Sequence, residues 1–135
     1  MILGIGIDFV SNQRIKNLLK DNKKEKFLSR IFSKNEIIEY NKKLITNKLG
    51  AKNFFAKRYA AKEALSKAVG TGIGRGINFS DIEISNDELG KPQIKLLNNK
   101  KEKLKKYFNC KKIFFHLSLT DETPLSGAVV IIESK

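Results

Sequence analysis

The chain has 135 residues, of which 41% are hydrophobic, a length and composition that suit one domain built around one core. No apolar run approaches the roughly 18 residues that span a bilayer, and the N-terminus lacks the pattern of a secretory signal, so we expect a cytoplasmic protein without a membrane partner. The only cysteine, Cys110, excludes an internal disulfide and a cysteine-rich metal site.

Positive charge is the strongest global feature. The 27 Lys and Arg residues outnumber the 14 Asp and Glu residues, which gives a formal net charge of +13. Such a field attracts nucleic acid, anionic membranes, phosphorylated cofactors or acidic proteins. Abundant Lys, Asn and Ile are also typical of AT-rich genomes, so charge alone does not select a partner.

The first predicted element is a strand over residues 1–10, where apolar side chains alternate with small or acidic ones. Gly4, Gly6 and Asp8 share one face. Because glycine has no side chain, this face leaves room for a ligand or for another segment of backbone. A carboxylate beside it suits metal binding or proton transfer, but an Asp at a strand end can also help to start the next helix. Both interpretations of Asp8 remain open here.

Helices are expected in the next sixty residues. Apolar residues recur at helical spacing from Ile15, and Ser33 with Glu36 forms the capping box of a second helix. A longer, Ala-rich helix is predicted over 53–69. Gly70 stands where a C-terminal glycine is expected.

The 53–69 helix carries one carboxylate among several cations. At helical spacing Arg58 and Lys62 lie in one row, and Tyr59, Glu63 and Lys67 lie in the adjacent row. A metal-bridged phosphate site needs this mixture, because the carboxylate holds a hard cation while the bases neutralise phosphate oxygens. A surface ion pair between Glu63 and Lys67, worth about 0.3–0.5 kcal/mol, explains the same residues.

Four alternating glycines follow the helix, at positions 70, 72, 74 and 76. Their backbone N–H groups could face an anion. The spacing differs from the dinucleotide-binding fingerprint, and no Gly-Lys-Ser/Thr of a P-loop follows. A flexible exit from the helix explains the segment equally well.

The C-terminal half is predicted to contain a hairpin over 82–96, a short basic helix over 100–108, and two strands over 113–119 and 128–132. His116 shares a strand face with two hydroxyl residues, so it could bind phosphate, relay a proton or be an ordinary surface histidine. Strands joined by short turns pair antiparallel. The element order therefore predicts an α+β fold, with a small, mainly antiparallel sheet packed against helices, in a single domain over 1–135.

Seven segments, in order, resemble the holo-[acyl-carrier-protein] synthase family of 4′-phosphopantetheinyl transferases, and together they cover nearly the whole chain. They are GIGIDFV at 4–10 with Arg14 and Ile15, RIF at 30–32 with Glu36, FAKRYAAKEALSKA at 55–68, GTGIG at 70–74, DIEI at 81–84, GKP at 90–92 and HLSLTDE at 116–122. The stretches 41–54 and 98–112 are longer and more basic than the family pattern.

The resemblance implies transfer of 4′-phosphopantetheine from coenzyme A to a serine of apo acyl carrier protein, releasing adenosine 3′,5′-bisphosphate and supporting fatty acid biosynthesis. It implies that Asp8 and Glu63 bind Mg²⁺ and that Lys67 contacts the transferred phosphoryl group, these three being the catalytic residues. It also implies a homotrimer that binds coenzyme A between protomers. Arg14 is the best single candidate for docking the acidic carrier.

The resemblance also implies that Arg58, Lys62 and His116 bind the remaining phosphates of coenzyme A, and that Gly70 and Gly72 of the glycine segment lie against the nucleotide.

Two other functions are alternatives to this one. A nucleic-acid-binding protein is supported only by the charge and lacks a recognisable binding motif, so we expect no nucleic-acid partner. A metal-dependent phosphohydrolase needs more than two carboxylates in most designs.

Overall fold

The computed structural model describes residues 1–20, 22–70 and 76–135. Within these ranges the helices are α1 (Asn12–Leu18), α2 (Lys24–Ile31), α3 (Lys34–Thr46), α4 (Lys48–Val69) and α5 (Lys100–Tyr107), with a 3-10 helix at Phe79–Asp81. The strands are β1 (Ile2–Ser11), β2 (Ile82–Asn86), β3 (Pro92–Leu96), β4 (Ile113–Glu122) and β5 (Leu125–Ser134).

The strands form two antiparallel sheets. The larger has the order β1-β5-β4, and the smaller is the β2-β3 hairpin. The predicted α+β class with small antiparallel sheets is confirmed. Strand β5 lies at the centre because the chain returns from β4 through a tight turn and then pairs with the N-terminal strand on its other side.

Helix α4 packs directly on β1, and two glycines permit the contact. A Cβ atom at Gly6 would overlap the carbonyl oxygen of Ala64, and one at Gly4 would overlap that of Ala68. The glycine face therefore leaves room for helix backbone rather than for a ligand. This close approach brings the residue that follows the two glycines on the same face, Asp8, against the C-terminal half of α4.

The opposite face of the larger sheet is uncovered, and it is apolar along β1. Ile5, Ile7 and Phe9 of β1 are 66%, 51% and 59% exposed, and Phe114 of β4 lies on the same face. The core lies between the sheet and the helices, where aromatic rings of α3 and α4 pack around Phe32. Within residues 4–9, β1 thus turns its small residues and Asp8 towards α4 and leaves Ile5, Ile7 and Phe9 exposed.

Most of the predicted elements are present, with changes at their boundaries. Ser33 and Glu36 form the capping box of α3, and Gly70, with φ of 85°, ends α4. Helix α4 begins at Lys48 rather than near residue 53, because the Asn47 side chain accepts a hydrogen bond from the backbone N–H of Gly50 and caps it there.

Helix α2 was not predicted, because its lysines obscure the two residues that anchor it, Leu28 and Ile31. Among the residues that the structure describes, no helix combines the length and the apolar character needed to cross a membrane.

Candidate active site

Asp8 and Lys67 form an ion pair where β1 meets α4. The Nζ atom of Lys67 lies 3.0 Å from Oδ1 of Asp8 and 3.0 Å from the carbonyl oxygen of Ile7. The Asp8 side chain is 16% exposed, whereas that of Lys67 is 56% exposed. Lys67 therefore pairs with the strand rather than with Glu63 on its own helix. Asp8 does not cap α1, because Ser11 does so.

Glu63 lies in the same electrostatic neighbourhood. The pKa of the nearby Tyr59 hydroxyl is raised, first by burial and then by the negative charge of the Glu63 carboxylate. Asp8 raises this pKa further, while Arg14 lowers it. The Arg14 guanidinium lies 5.9 Å from the centre of the Tyr59 ring. Both carboxylates and one arginine thus surround a single phenol.

A cleft of about 720 Å³ opens beside Glu63. Its walls come from three separate parts of the chain: α2, the segment leading into the 3-10 helix, and one side of α4. The lining residues are Phe27, Ser29, Arg30, Ile31, Tyr59, Glu63, Ser66, Asn78, Phe79 and Ser80. Aromatic rings alternate with hydroxyl and amide groups, which suits an elongated ligand with both apolar and hydrogen-bonding parts.

The chemistry of the two carboxylates fits a magnesium ion. Mg²⁺ prefers oxygen ligands and is usually held by one or two protein carboxylates together with water and substrate phosphates. Among the described residues, no group of three or more His, Cys, Asp or Glu could hold a metal. Asp8 and Glu63 would therefore supply only part of the coordination sphere, and phosphate and water would complete it.

Lys62 and Arg58 point away from this cleft. Lys62 is 0% exposed, and its ammonium donates to Glu36 and to the carbonyl oxygens of Ile31 and Phe79. Arg58 is 5% exposed and stacks 3.8 Å from the centre of the Phe54 ring. Their helical row faces α3 and the β2-β3 hairpin. The structure therefore gives both side chains partners other than the phosphates expected from the sequence.

The burial of Arg58 also lowers the pKa of its guanidinium, although nearby Glu39 and Glu36 oppose this effect. Burial likewise lowers the pKa of Lys62, and the charge of Glu36 opposes it. In both cases a carboxylate compensates for the loss of water around the cation.

The other expected ligands are not gathered around Asp8 within this chain. His116 lies on β4, on the uncovered sheet face, with Nε2 2.8 Å from Oε2 of Glu133. This hydrogen bond is the main reason that the pKa of Glu133 is lowered. Gly70 ends α4 one turn beyond Lys67. Gly72 lies outside the described residues.

Some residues around the cleft were not identified from the sequence. Tyr59 was predicted to share a helical row with Glu63, but no role in the site was assigned to it. Ser29, Asn78 and Ser80 carry no such signal, because only the tertiary fold brings residues 27–31 and 78–80 beside α4.

The chain is similar to known proteins over nearly its whole length. Residues 4–125 match the sequence profile of the 4′-phosphopantetheinyl transferase superfamily. The chain is 46% identical to a holo-[acyl-carrier-protein] synthase of Pelagibacter ubique (strain HTCC1062) over 99% of this chain and 98% of that protein.

Two solved structures have the same fold over nearly their whole lengths. The holo-[acyl-carrier-protein] synthase of Neisseria meningitidis superposes with a TM-score of 0.84 at 37% identity, covering 99% of this chain and 100% of that one. The Bacillus anthracis holo-(acyl-carrier-protein) synthase in complex with CoA (3′,5′-ADP) superposes with a TM-score of 0.79 at 36% identity, covering 100% and 99%. By this match over residues 4–125 and by these full-length similarities, the chain belongs to the 4′-phosphopantetheinyl transferase superfamily.

Proposed function

We propose that this chain, acting as a single domain, transfers 4′-phosphopantetheine from coenzyme A to a serine of apo acyl carrier protein and releases adenosine 3′,5′-bisphosphate. The observation that carries the proposal is that the Asp8 and Glu63 carboxylates both lie near Tyr59, with Asp8 paired to Lys67 and Glu63 lining a cleft. The relatives named holo-[acyl-carrier-protein] synthase support it, and one of the solved structures contains coenzyme A.

In this proposal Asp8 and Glu63 hold Mg²⁺ together with oxygens of the coenzyme A pyrophosphate. When bound, the ion would neutralise charge on the pyrophosphate as the leaving group departs. Asp8 is held in position by Lys67. This carboxylate is thereby fixed by a neighbour before substrate arrives, which reduces the reorganisation needed on binding.

Lys67 has a free donor for the substrate. An ammonium group has three N–H donors, and within the described residues Lys67 uses two of them, for Asp8 and the Ile7 carbonyl oxygen. The third can be directed at an oxygen of the transferred phosphoryl group. Because the first two bonds fix the position of Nζ, this positive charge is already in place when the phosphoryl group moves.

The cleft beside Glu63 is the proposed site of the pantetheine arm. This arm contains amide groups separated by short apolar segments. The Ser29, Asn78 and Ser80 side chains offer hydrogen-bonding partners, and Phe27 and Phe79 offer apolar contacts. The pyrophosphate would then lie at the end of the cleft where Glu63 stands.

We propose a homotrimer in which the apolar face of the larger sheet is covered by neighbouring protomers. Ile5, Ile7 and Phe9 are large apolar residues left exposed on this face, and contiguous apolar surface of this kind marks association sites. His116 lies on the same face, so it would reach coenzyme A only at a site shared with another protomer. This arrangement would reconcile the predicted role of His116 with its position on the sheet face opposite Asp8.

Arg14 is the proposed docking residue for an acidic carrier. It is exposed on α1, and its guanidinium lies over the Tyr59 ring beside Glu63. A carrier bound there would present its serine close to the phosphoryl group. The net charge of +13 would accelerate the encounter at low ionic strength.

Mass spectrometry of an apo acyl carrier protein, incubated with this chain, coenzyme A and Mg²⁺, tests the function. We expect a gain of one phosphopantetheine mass on one serine. Asp8→Ala and Glu63→Ala should each reduce the rate by at least about 10²-fold, since each removes a group that positions charge at the reacting phosphate. Glu88→Ala, an exposed carboxylate in the β2-β3 turn, is the matched control.

Absence of mass gain with a carrier that another transferase can modify would disprove the proposal. Salt-sensitive binding to DNA that is unchanged in Asp8→Ala and Glu63→Ala, without transfer, would favour the nucleic-acid-binding alternative.

A further inference from the structure

The Lys62 ammonium joins three separate elements at a point fully shielded from solvent. Its three donors reach the Glu36 carboxylate on α3, the carbonyl oxygen of Ile31 at the end of α2, and the carbonyl oxygen of Phe79 in the 3-10 helix, the last at 3.1 Å. An ammonium has three donors, so all of them are used. Lys62 has no donor left for a phosphate.

Glu36 extends this network to the hairpin and to the start of its own helix. One carboxylate oxygen accepts from Lys62 and from the backbone N–H of Ser33, at 2.9 Å. The other accepts from the backbone N–H of Ile84 on β2, at 3.1 Å. Glu36 is 1% exposed, so the charge pair is buried and has its hydrogen-bonding capacity filled.

Two of the groups that Lys62 holds belong to the walls of the cleft. Ile31 and Phe79 both line it, on segments that are 48 residues apart in the chain, and Glu63, the residue after Lys62, lines it as well. The ammonium therefore ties one wall to the other from behind the surface that a ligand would touch. Losing this tie would allow the walls to separate without removing any group that faces the ligand.

We propose that Lys62 is a positioning residue whose bonds to the carbonyl oxygens of Ile31 and Phe79 set the width of the cleft and, through it, the affinity for coenzyme A, while Glu36 balances its buried charge. The inference rests on the proposed function. It differs from the phosphate-binding role expected from the sequence, because the contact with coenzyme A is indirect and does not depend on any one phosphate.

The test uses a double variant, because removing Lys62 alone leaves a buried unpaired carboxylate and can prevent folding. In Lys62→Met/Glu36→Gln both charges are removed, and the introduced amide oxygen can still accept a hydrogen bond from the backbone N–H of Ser33 or of Ile84. Replacing a buried ion pair in this way is often nearly neutral for stability. The control, Lys105→Met/Glu102→Gln, removes an ion pair from α5.

We expect the double variant to raise KM for coenzyme A by about tenfold with kcat close to that of the unmodified chain. The same factor should appear with 3′-dephospho-coenzyme A, since the tie acts on the whole cleft. The control pair should leave both constants unchanged. Calorimetric titration with coenzyme A, in the absence of carrier, should show the same tenfold loss of affinity.

Glu36→Gln alone provides a second measurement, which remains informative if the double variant does not fold. It keeps the Lys62 bonds to Ile31 and Phe79, so we expect lower stability but an unchanged KM. A tenfold rise in KM in this single variant would contradict the proposal, as would an unchanged KM in a folded double variant. A loss confined to the substrate carrying the 3′-phosphate would instead assign Lys62 to direct phosphate contact. If the unmodified chain binds coenzyme A but modifies no carrier, the proposed function is wrong. The titration would still test whether the Lys62 bonds to Ile31 and Phe79 determine the affinity for coenzyme A.

Discussion

Lys62 and Lys67 stand five residues apart on one helix and flank the same glutamate, yet their environments are opposite. Lys62 is fully buried with every donor used, whereas Lys67 is half-exposed and, among the described residues, has partners for only two of its three donors. The difference follows from helical geometry, since five residues turn the side chain by well over a right angle. The first lysine faces the interior behind the cleft, and the second faces the strand that carries Asp8.

This contrast leads to a prediction for Lys67→Met. Turnover should fall by about 10²-fold or more, because the positive charge near the phosphoryl group is lost. The free energy of unfolding should change by less than about 1 kcal/mol, because a half-exposed ion pair contributes little to stability. Steady-state kinetics and urea unfolding measure the two effects, with Lys52→Met on the same helix as the control. A large loss of stability with unchanged turnover would assign Lys67 a structural role instead.

At the scale of elements, the contact between β1 and α4 sets the geometry of the site. Gly4 and Gly6 allow the helix backbone to approach the strand, and the ion pair between Asp8 and Lys67 forms at the end of this contact. The position of Asp8 relative to α4 is therefore fixed by steric fit before electrostatics contributes. A substitution that forces the helix outwards should disturb stability and catalysis together.

Gly6→Ala should destabilise the protein by about 1–3 kcal/mol or more, because the added methyl group meets helix backbone that cannot move independently. Gly127→Ala is the matched comparison within the same sheet. There the new methyl would meet the Phe9 ring, at 2.8 Å, and this ring is 59% exposed and can rotate away. Urea denaturation should show a clearly larger loss for Gly6→Ala. Equal losses would mean that the helix shifts easily along the strand.

Local signals made much of this architecture predictable from the sequence. The alternation in β1, the capping box at Ser33 and the terminal glycine at Gly70 each depend on residues close together in the chain, and each is present in the structure. Helix α2 was missed because its lysines conceal a short apolar stripe.

The partners of Lys62 could not have been predicted in the same way. They lie 31, 26 and 17 residues away, so helical spacing placed this lysine beside Glu63 without indicating which way it faces. The residue type suited a phosphate ligand, but burial depends on contacts between distant elements. Asp8 and Lys67 were easier to identify, because the resemblance named both residues and the glycine pattern indicated the face of the strand.

For the whole molecule, the uncovered sheet face is the feature that most directly predicts behaviour in solution. Ile7 lies near its centre, between Ile5 and Phe9. We expect Ile7→Lys to convert the proposed homotrimer into monomers and to reduce transfer activity, since a buried lysine at an interface would lack a partner. Sedimentation velocity measures the assembly, and far-ultraviolet circular dichroism checks the fold. Leu89→Lys, in the exposed β2-β3 turn, should change neither. A monomeric unmodified chain with full activity would contradict the assembly.

The two faces of strand β1 have different surroundings. Its glycines and Asp8 meet α4, while the large apolar residues between them point to the uncovered face. Since side chains alternate strictly along a strand, inserting one residue before Gly4 would leave the pattern intact, but inserting one between Gly6 and Asp8 would turn the carboxylate outwards and an isoleucine inwards. We therefore expect a single insertion to abolish the proposed metal binding and to alter the proposed self-association at once. The proposed metal binding and the proposed self-association are therefore expected to be lost together.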